Sequence, residues 1–365
     1  MRKNILSVTL IFIILLFTPV IANAETVDSG ECGNKGGNVT WKFDSDGTLT
    51  ISGKGEMDYT WSYNEMPWYD CKPDIKKVVI EDGVTSISDC AFQDCTGLTD
   101  ISVPDSITSI SDCAFENCHL LSEIYIPENV CFIGEWAFAQ CYSLKKVIIP
   151  DAVTWLEPSV FENCTSLCEV IIPNTVTYIA PKVFNGCTSL EKLSLPTGIK
   201  YIDLSFTDYA SLKSIYIPES VKHISSHVLS SRALTDIYYE GTEENWEKID
   251  IVLLPDETIY AQIHYNIIPK ILDETKITAQ DDSYTFDIKF DNVKCSGRLI
   301  TALYNGDTLS GFKTSFIMPD DTEKAVTVDA DNKATSAKIF IWDSMIGMKP
   351  LCELTTIEEK DFITE

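Results

Sequence analysis

Apolar residues between positions 75 and 240 fall into columns rather than into helical or strand-length blocks. Five phenylalanines, Phe92, Phe115, Phe138, Phe161 and Phe184, stand 23 residues apart, and Cys95, Cys118, Cys141, Cys164 and Cys187 keep the same step. An aliphatic pair two residues apart, such as Ile124 and Ile126, returns in every unit. It is followed by proline at Pro104, Pro127, Pro150, Pro173, Pro196 and Pro218. Further columns run through Ile107, Val130, Val153 and Val176 and through Ile110, Ile133, Leu156 and Ile179, and each unit closes on a leucine such as Leu98, Leu121 or Leu144. A fixed period of this length marks a solenoid, in which one short unit stacks on copies of itself.

One unit predicts its own elements. In Leu121-Ser-Glu-Ile124-Tyr-Ile126-Pro127 the apolar residues alternate with Tyr125, the pattern of a half-buried strand. Proline ends that strand because it has no amide hydrogen for the ladder. A second extended piece, Ile107-Thr-Ser-Ile110, returns the chain, and Asp112 to Cys118 is expected to make one helical or 3₁₀ turn that seats Phe115 and Cys118 inside. Stacked units would form a parallel sheet with strands about 4.8 Å apart.

The motif Ala114-Phe-Glu-Asn-Cys118 and its copies resemble the bacterial leucine-rich repeats of the BspA-like class, although Val160 and Val183 stand in place of the alanine. The resemblance covers residues 75 to about 240. It implies an α/β-type leucine-rich-repeat solenoid of parallel strands plus short helical turns. It also implies secreted or surface proteins that bind or adhere to other molecules, and it carries no ligand and no catalytic residue across.

The flanks divide the chain further. Residues 1–24 read as a secretory signal, with Arg2 and Lys3 ahead of an apolar run and Ala22-Asn-Ala24 as the cleavage site. Residues 25–74 read as an N-terminal β cap, with a hairpin of Val39–Phe43 and Thr48–Ser52 about Asp44-Ser-Asp-Gly47. The offset of Tyr69 from Ile75 matches that of Phe115 from Leu121, so Tyr69 is the expected head of the phenylalanine column. Residues 75–266 hold the solenoid and its C-terminal cap, with Trp246 and Ile249 packing at the end. From 270 to 365 the period vanishes, and alternating segments such as Ser283–Phe290 and Arg298–Tyr304 suggest an all-β, sandwich-like module.

Charge and cysteine usage narrow the partners. With 28 basic against 55 acidic residues the net charge is −27, which disfavours nucleic acid and anionic membranes. After cleavage of the leader no apolar run of spanning length remains. Thirteen cysteines in an exported chain raise the question of disulfides. The Cys95–Cys187 column nevertheless faces inward with parallel Cβ vectors, a poor geometry for bonding, and is read as buried thiols. Cys90 and Cys113 form a shorter column with the same reading, while Cys32 and Cys71 are a candidate bonded pair.

No catalytic, cofactor-binding or metal site is expected. The four histidines fit no hydrolase or metalloprotease motif, and His223 and His227, four apart, fall in an ordinary repeat turn. The informative column is the residue between the two strand aliphatics: Val79, Ser102, Tyr125, Ile148, Ile171, Ser194, Tyr216 and Tyr238. Alternation points it out of the sheet. Beside it runs a charged column that includes Glu123, Lys146, Glu169 and Lys192. Tyr125, Ile148, Ile171, Tyr216 and Tyr238 with these four charges are the candidate ligand-binding face, for a protein or polysaccharide partner. The same residues also suit cross-strand stabilisation of the sheet alone. An accessory role in carbohydrate or peptide degradation, with the site in the C-terminal module, and a structural surface role stand as alternatives.

Overall fold

The computed structural model describes residues 24–34, 38–58, 65–203, 211–225, 228–253 and 258–266, then Ala334 and the strands between Lys270 and Thr364. The expected leader (apart from Ala24) and His227 lie outside these residues.

The N-terminal cap is the expected hairpin extended by one strand. Thr40–Asp44 pairs antiparallel with Thr48–Ser52 and, on its other edge, with Thr26–Glu31. Asp44 Oδ1 accepts the amides of Asp46 and Thr48, and Gly47 supplies the positive φ of 86° that closes the turn. Thr48–Ser52 then pairs parallel with Lys77–Ile80, so the cap leads directly into the solenoid sheet. Trp68, not Tyr69, heads the phenylalanine column. Trp68 is 1% exposed, stacks on Phe92 at 6.0 Å and donates its indole N–H to the Ala91 carbonyl at 2.8 Å, while Tyr69 is 37% exposed. One extra residue between Trp68 and Phe92 shifts the register that the offset from Ile75 suggested.

Most repeats contribute two short strands, one on each of two sheet faces, and the Tyr125 repeat contributes only the second. The first face runs through Lys77–Ile80, Asp100–Ser102, Lys146–Ile148, Glu169–Ile171, Lys192–Ser194, Ser214–Ile217 and Asp236–Tyr239. The second includes Val84–Ile87, Ser109–Ile110, Phe132–Ile133, Trp155–Leu156, Tyr178–Ile179 and Tyr201–Ile202. Pairing is parallel and in repeat register, as for Val147 with Val170 and Leu156 with Ile179. The proline column joins the two faces. Pro104, Pro127, Pro150 and Pro173 each accept, on their carbonyl, the amide three residues on, at 3.0–3.1 Å. Proline therefore ends one strand and begins the turn to the next.

The third side of each unit is a stack of turns, not of helical turns. Two residues in each of five successive repeats adopt positive φ: Cys90, Cys113, Trp136, Ser159 and Lys182 in one column, and Asp94, Asn117, Gln140, Asn163 and Gly186 in the other. Left-handed residues at that spacing break any helix. Backbone amides then bond to the next repeat, Phe92 to Ala114 O at 2.8 Å, Phe115 to Ala137 O at 2.8 Å and Phe138 to Val160 O at 2.9 Å. Helix among the described residues is short, and includes a 3₁₀ segment, Tyr69–Asp74, and an α-turn, Glu243–Trp246, capped by the Thr242 side chain. None is long and apolar enough to cross a membrane, which leaves strand-based spans unaddressed.

The core is a column of rings. Phe92, Phe115, Phe138, Phe161 and Phe184 are buried and stack at 5.3 to 6.0 Å between centroids, with Phe115 and Phe138 only 3° from parallel. The cysteine column lies against the rings. Cys118, Cys141, Cys164 and Cys187 each donate a thiol hydrogen to the carbonyl of the preceding repeat's phenylalanine, at 3.1–3.2 Å. Cysteine fits this site because it is small, apolar and a weak donor at once. None of the described cysteines is bonded, and that includes Cys32 and Cys71, both of which pack against the apolar core. Cys90 and Cys113 depart from expectation. At positive φ on the turn corners they are half-buried rather than seated in the ring column.

The strands from Lys270 onward form two mainly antiparallel sheets, one built around Ser283–Asp291 and one around Gly297–Asn305. Their apolar cluster, with Ile277, Tyr284, Phe286, Leu299 and Ile339, includes Tyr216 of the solenoid, and Tyr238 packs against it.

Phe138→Ala is expected to lower stability by about 3–5 kcal/mol, and Tyr125→Ala by about 0.5 kcal/mol, because the first opens a cavity between two stacked rings and the second side chain is exposed. Denaturant melts of the two variants check this, and equal losses would contradict the assignment of faces.

A second expectation concerns alkaline pH. Burial pushes the Cys95, Cys141 and Cys187 thiols up to about 12 and those of Cys118 and Cys164 well above their ordinary value. Unfolded thiols ionise at about 8.5. Their contribution to stability is therefore complete below about pH 8.5 and is lost as pH rises toward 12, by about 1.4 kcal/mol per pH unit per thiol. Urea midpoints at pH 8 and pH 10 should show this fall, and Cys141→Ala, though less stable at pH 8, should show a shallower one. An unchanged slope in that variant would contradict the buried-thiol account.

Candidate functional site

The first sheet face presents only part of the expected row to solvent. Tyr125 is 58% exposed, Ser102 is exposed, and Val79 and Ile148 are half-exposed. Beyond Ile148 the row closes over. Ile171, Ser194 and Tyr216 are 3%, 7% and 2% exposed. Tyr216 is taken up by the C-terminal apolar cluster. Tyr238, half-buried, packs against the same cluster and stacks on His264 at 4.8 Å. Ile171, Tyr216 and Tyr238 are thus corrected from an open ligand face to covered or half-covered positions. For the two tyrosines the covering residues come from a segment outside the repeat pattern.

The open half holds a cleft. Thr99 to Ile101, Glu123 to Ile126, Glu128, Lys146, Ile148 and Pro150 line a concavity of about 470 Å³. It sits where the sheet parts. Asp100–Ser102 pairs with Lys77–Ile80 and ends its sheet, and the Tyr125 repeat joins its other neighbour only through a bridge of Glu123 to Lys146. The inward aliphatics respond to that opening. Val78, Val147, Val170, Leu193, Ile215 and Ile237 are buried, whereas Ile101 and Ile124 are only partly so and form the cleft floor. Four of the expected site residues, Glu123, Tyr125, Lys146 and Ile148, therefore meet around an apolar floor.

Charges rim the cleft. Lys77 pairs with Asp100 at 2.8 Å, and Lys146 pairs with Glu169, so Glu169 turns toward its neighbour. Lys192 is exposed on the Lys192–Ser194 strand, away from the cleft. Exposed pairs of this kind contribute about 0–1 kcal/mol each and act mainly on register and encounter. The Tyr125 hydroxyl donates to Asp105 Oδ1 at 3.3 Å, and desolvation, with the Asp105 carboxylate second, raises its pKa. The face thus offers apolar contact area framed by carboxylates.

The second sheet face carries a row that the reading of the first strand does not disclose. Phe132, Trp155, Tyr178 and Tyr201 keep the 23-residue step, and Trp155, Tyr178 and Tyr201 are 54%, 46% and 60% exposed. The periodicity that reveals the core reveals this row too. His223 follows it one shorter unit on, pairs with Asp250 at 2.9 Å and belongs to the strand His223–Ser225.

The sequence model of the BspA type leucine rich repeat region matches in six copies over residues 65–167 and 132–249. No curated protein matches the chain. Among solved structures, a leucine-rich repeat protein from Bacteroides ovatus ATCC 8483 is 20% identical, with 62% of this chain and 69% of that one covered and a TM-score of 0.42. One from Eubacterium ventriosum ATCC 27560 is 19% identical, covering 66% of this chain and 75% of that one with a TM-score of 0.41. A leucine rich cell surface protein from Faecalibacterium prausnitzii A2-165 is 19% identical, covering 61% of this chain and 98% of that one with a TM-score of 0.27. Matched over more than half of its length, the chain belongs to the BspA-type leucine-rich repeat family.

Proposed function

We propose that this protein is exported and acts as a non-enzymatic binding or adhesion protein. It would hold a protein or polysaccharide partner against the first sheet face, from Val79 to Ile148. The observation that carries this reading is the cleft at Tyr125, where the sheet parts and leaves Ile101 and Ile124 half-exposed above the core. An apolar floor beside a large exposed tyrosine is a surface that gains from being covered. The signal-like segment at residues 1–24 supports export. The C-terminal strands, read as one sandwich-like module, would serve to cover the last repeats, since Tyr216 and Tyr238 lie against their core.

The mechanism is that of a preorganised face. Strand residues fixed by the repeat register lose little freedom on binding, and tyrosine brings a large contact area on few rotatable bonds. The charge of −27 steers the choice of partner away from polyanions.

Capture of partners on the full mature chain, followed by titration of the captured molecule, tests this reading. Tyr125→Ala with Ile148→Ala is expected to weaken binding by about 2 kcal/mol or more, roughly 30-fold in Kd. The full chain is required, because ending it near residue 270 would bare Tyr216. Undiminished binding by the double variant would contradict the reading and favour a site among the C-terminal strands.

A further inference from the structure

The row on the second face has its own chemistry. Trp155 and Tyr178 are register partners on adjacent parallel strands, as are Tyr201 and His223. The buried rings of the core stack on one another at 5.3 to 6.0 Å, whereas Trp155 and Tyr178 make no ring–ring contact and are about half exposed, and Tyr201 meets His223 only at a tilt, at 6.4 Å. The row is one residue wide. Hydroxyls and carboxylates flank it: Thr154 and Thr177 on one side, Glu157 and Asp203 on the other.

We infer that Trp155, Tyr178 and Tyr201 form a binding platform for a linear, uncharged β-linked polysaccharide. Three features select this ligand. First, the C–H-rich face of a pyranose ring is weakly positive and apolar, and it matches the negative face of an aromatic ring. Second, Trp155 and Tyr178 stand on paired strands about 4.8 Å apart, close to the rise per sugar of an extended β-linked glycan, and Tyr201 follows one repeat on, so polymer and row advance by a similar step. A folded protein partner would need a compact desolvated patch instead of a single file of rings bordered by polar groups. Third, the flanking threonines and carboxylates suit sugar hydroxyls, while the net charge of −27 and the nearby Glu157 and Asp203 repel uronate polymers and nucleic acids. This platform is independent of the cleft at Tyr125.

Native affinity electrophoresis of the full chain tests the inference, with hydroxyethylcellulose, glucomannan or polygalacturonate cast in the gel. Migration is expected to slow in at least one of the two neutral glycans and to stay unchanged in polygalacturonate. The triple variant Trp155→Ala, Tyr178→Ala, Tyr201→Ala is expected to lose the retardation, with at least a tenfold weaker apparent Kd. Tyr178→Ala alone should lose part of it, and Tyr178→Phe, which keeps the ring, should retain it. Tyr125→Ala with Ile148→Ala should be retarded like the parent, which separates this platform from the proposed face. No retardation in either neutral glycan, retardation by polygalacturonate alone, or equal retardation of the triple variant would overturn the inference. So would equal behaviour of Tyr178→Ala and Tyr178→Phe, whatever the stability of the triple variant.

Discussion

Everything in this solenoid depends on one constraint: a group buried in one repeat finds its partner in the next. At the turn side the Phe115 amide bonds to Ala137, the Phe115 ring stacks on Phe138, and the Cys141 thiol reaches back to the Phe115 carbonyl. A buried donor or ring left without its neighbour would lose about 1–3 kcal/mol, so each copy fixes the length and composition of the copy beside it. The 23-residue period is the sequence record of that mutual dependence. It also explains why the column holds cysteine: serine would bring a stronger polar group into an apolar site, and alanine would leave a void beside the rings and remove the thiol's bond to a carbonyl that already accepts the amide three residues on.

The same constraint leaves the outward columns free, and that is where function can vary. Positions such as Tyr125 or Trp155 are more than half exposed and outside the core, so their identity can follow a ligand while the core stays fixed. Two faces result, and they differ. The first is closed over its second half and opened over its first half by the parting of the sheet at Ile101 and Ile124. The second is a single file of aromatic side chains from Trp155 to Tyr201. Rigid spacing suits both, because a ligand that meets residues already held in place need not bear the entropy of ordering them.

Much of this was legible in the residues. The Phe and Cys columns, the proline turns and the strand alternation at Ile124-Tyr-Ile126 follow from periodicity alone. The aromatic row was legible by the same step, but only once the second strand of each unit is seen to present its own outward column. Other features had no local signal. Positive φ at Trp136 and Lys182 is imposed by stacking, since neither residue prefers it, and so the residues read as a helical or 3₁₀ turn where the chain makes left-handed corners. Burial of Tyr216 depends on Ile277, Tyr284 and their neighbours, far along the chain and without the period. The shift from Tyr69 to Trp68 comes from one extra residue ahead of Phe92, where column offsets no longer apply.

The most direct test of the central claim is native-state hydrogen exchange at the amides of Phe92, Phe115, Phe138 and Phe161. Because these amides bond between repeats and sit beside the ring stack, they should exchange together and most slowly, with opening free energies near that of global unfolding. Exchange at these four positions as fast as at the exposed strand amides around Tyr125 would show that the turns do not couple the repeats, and would contradict the account.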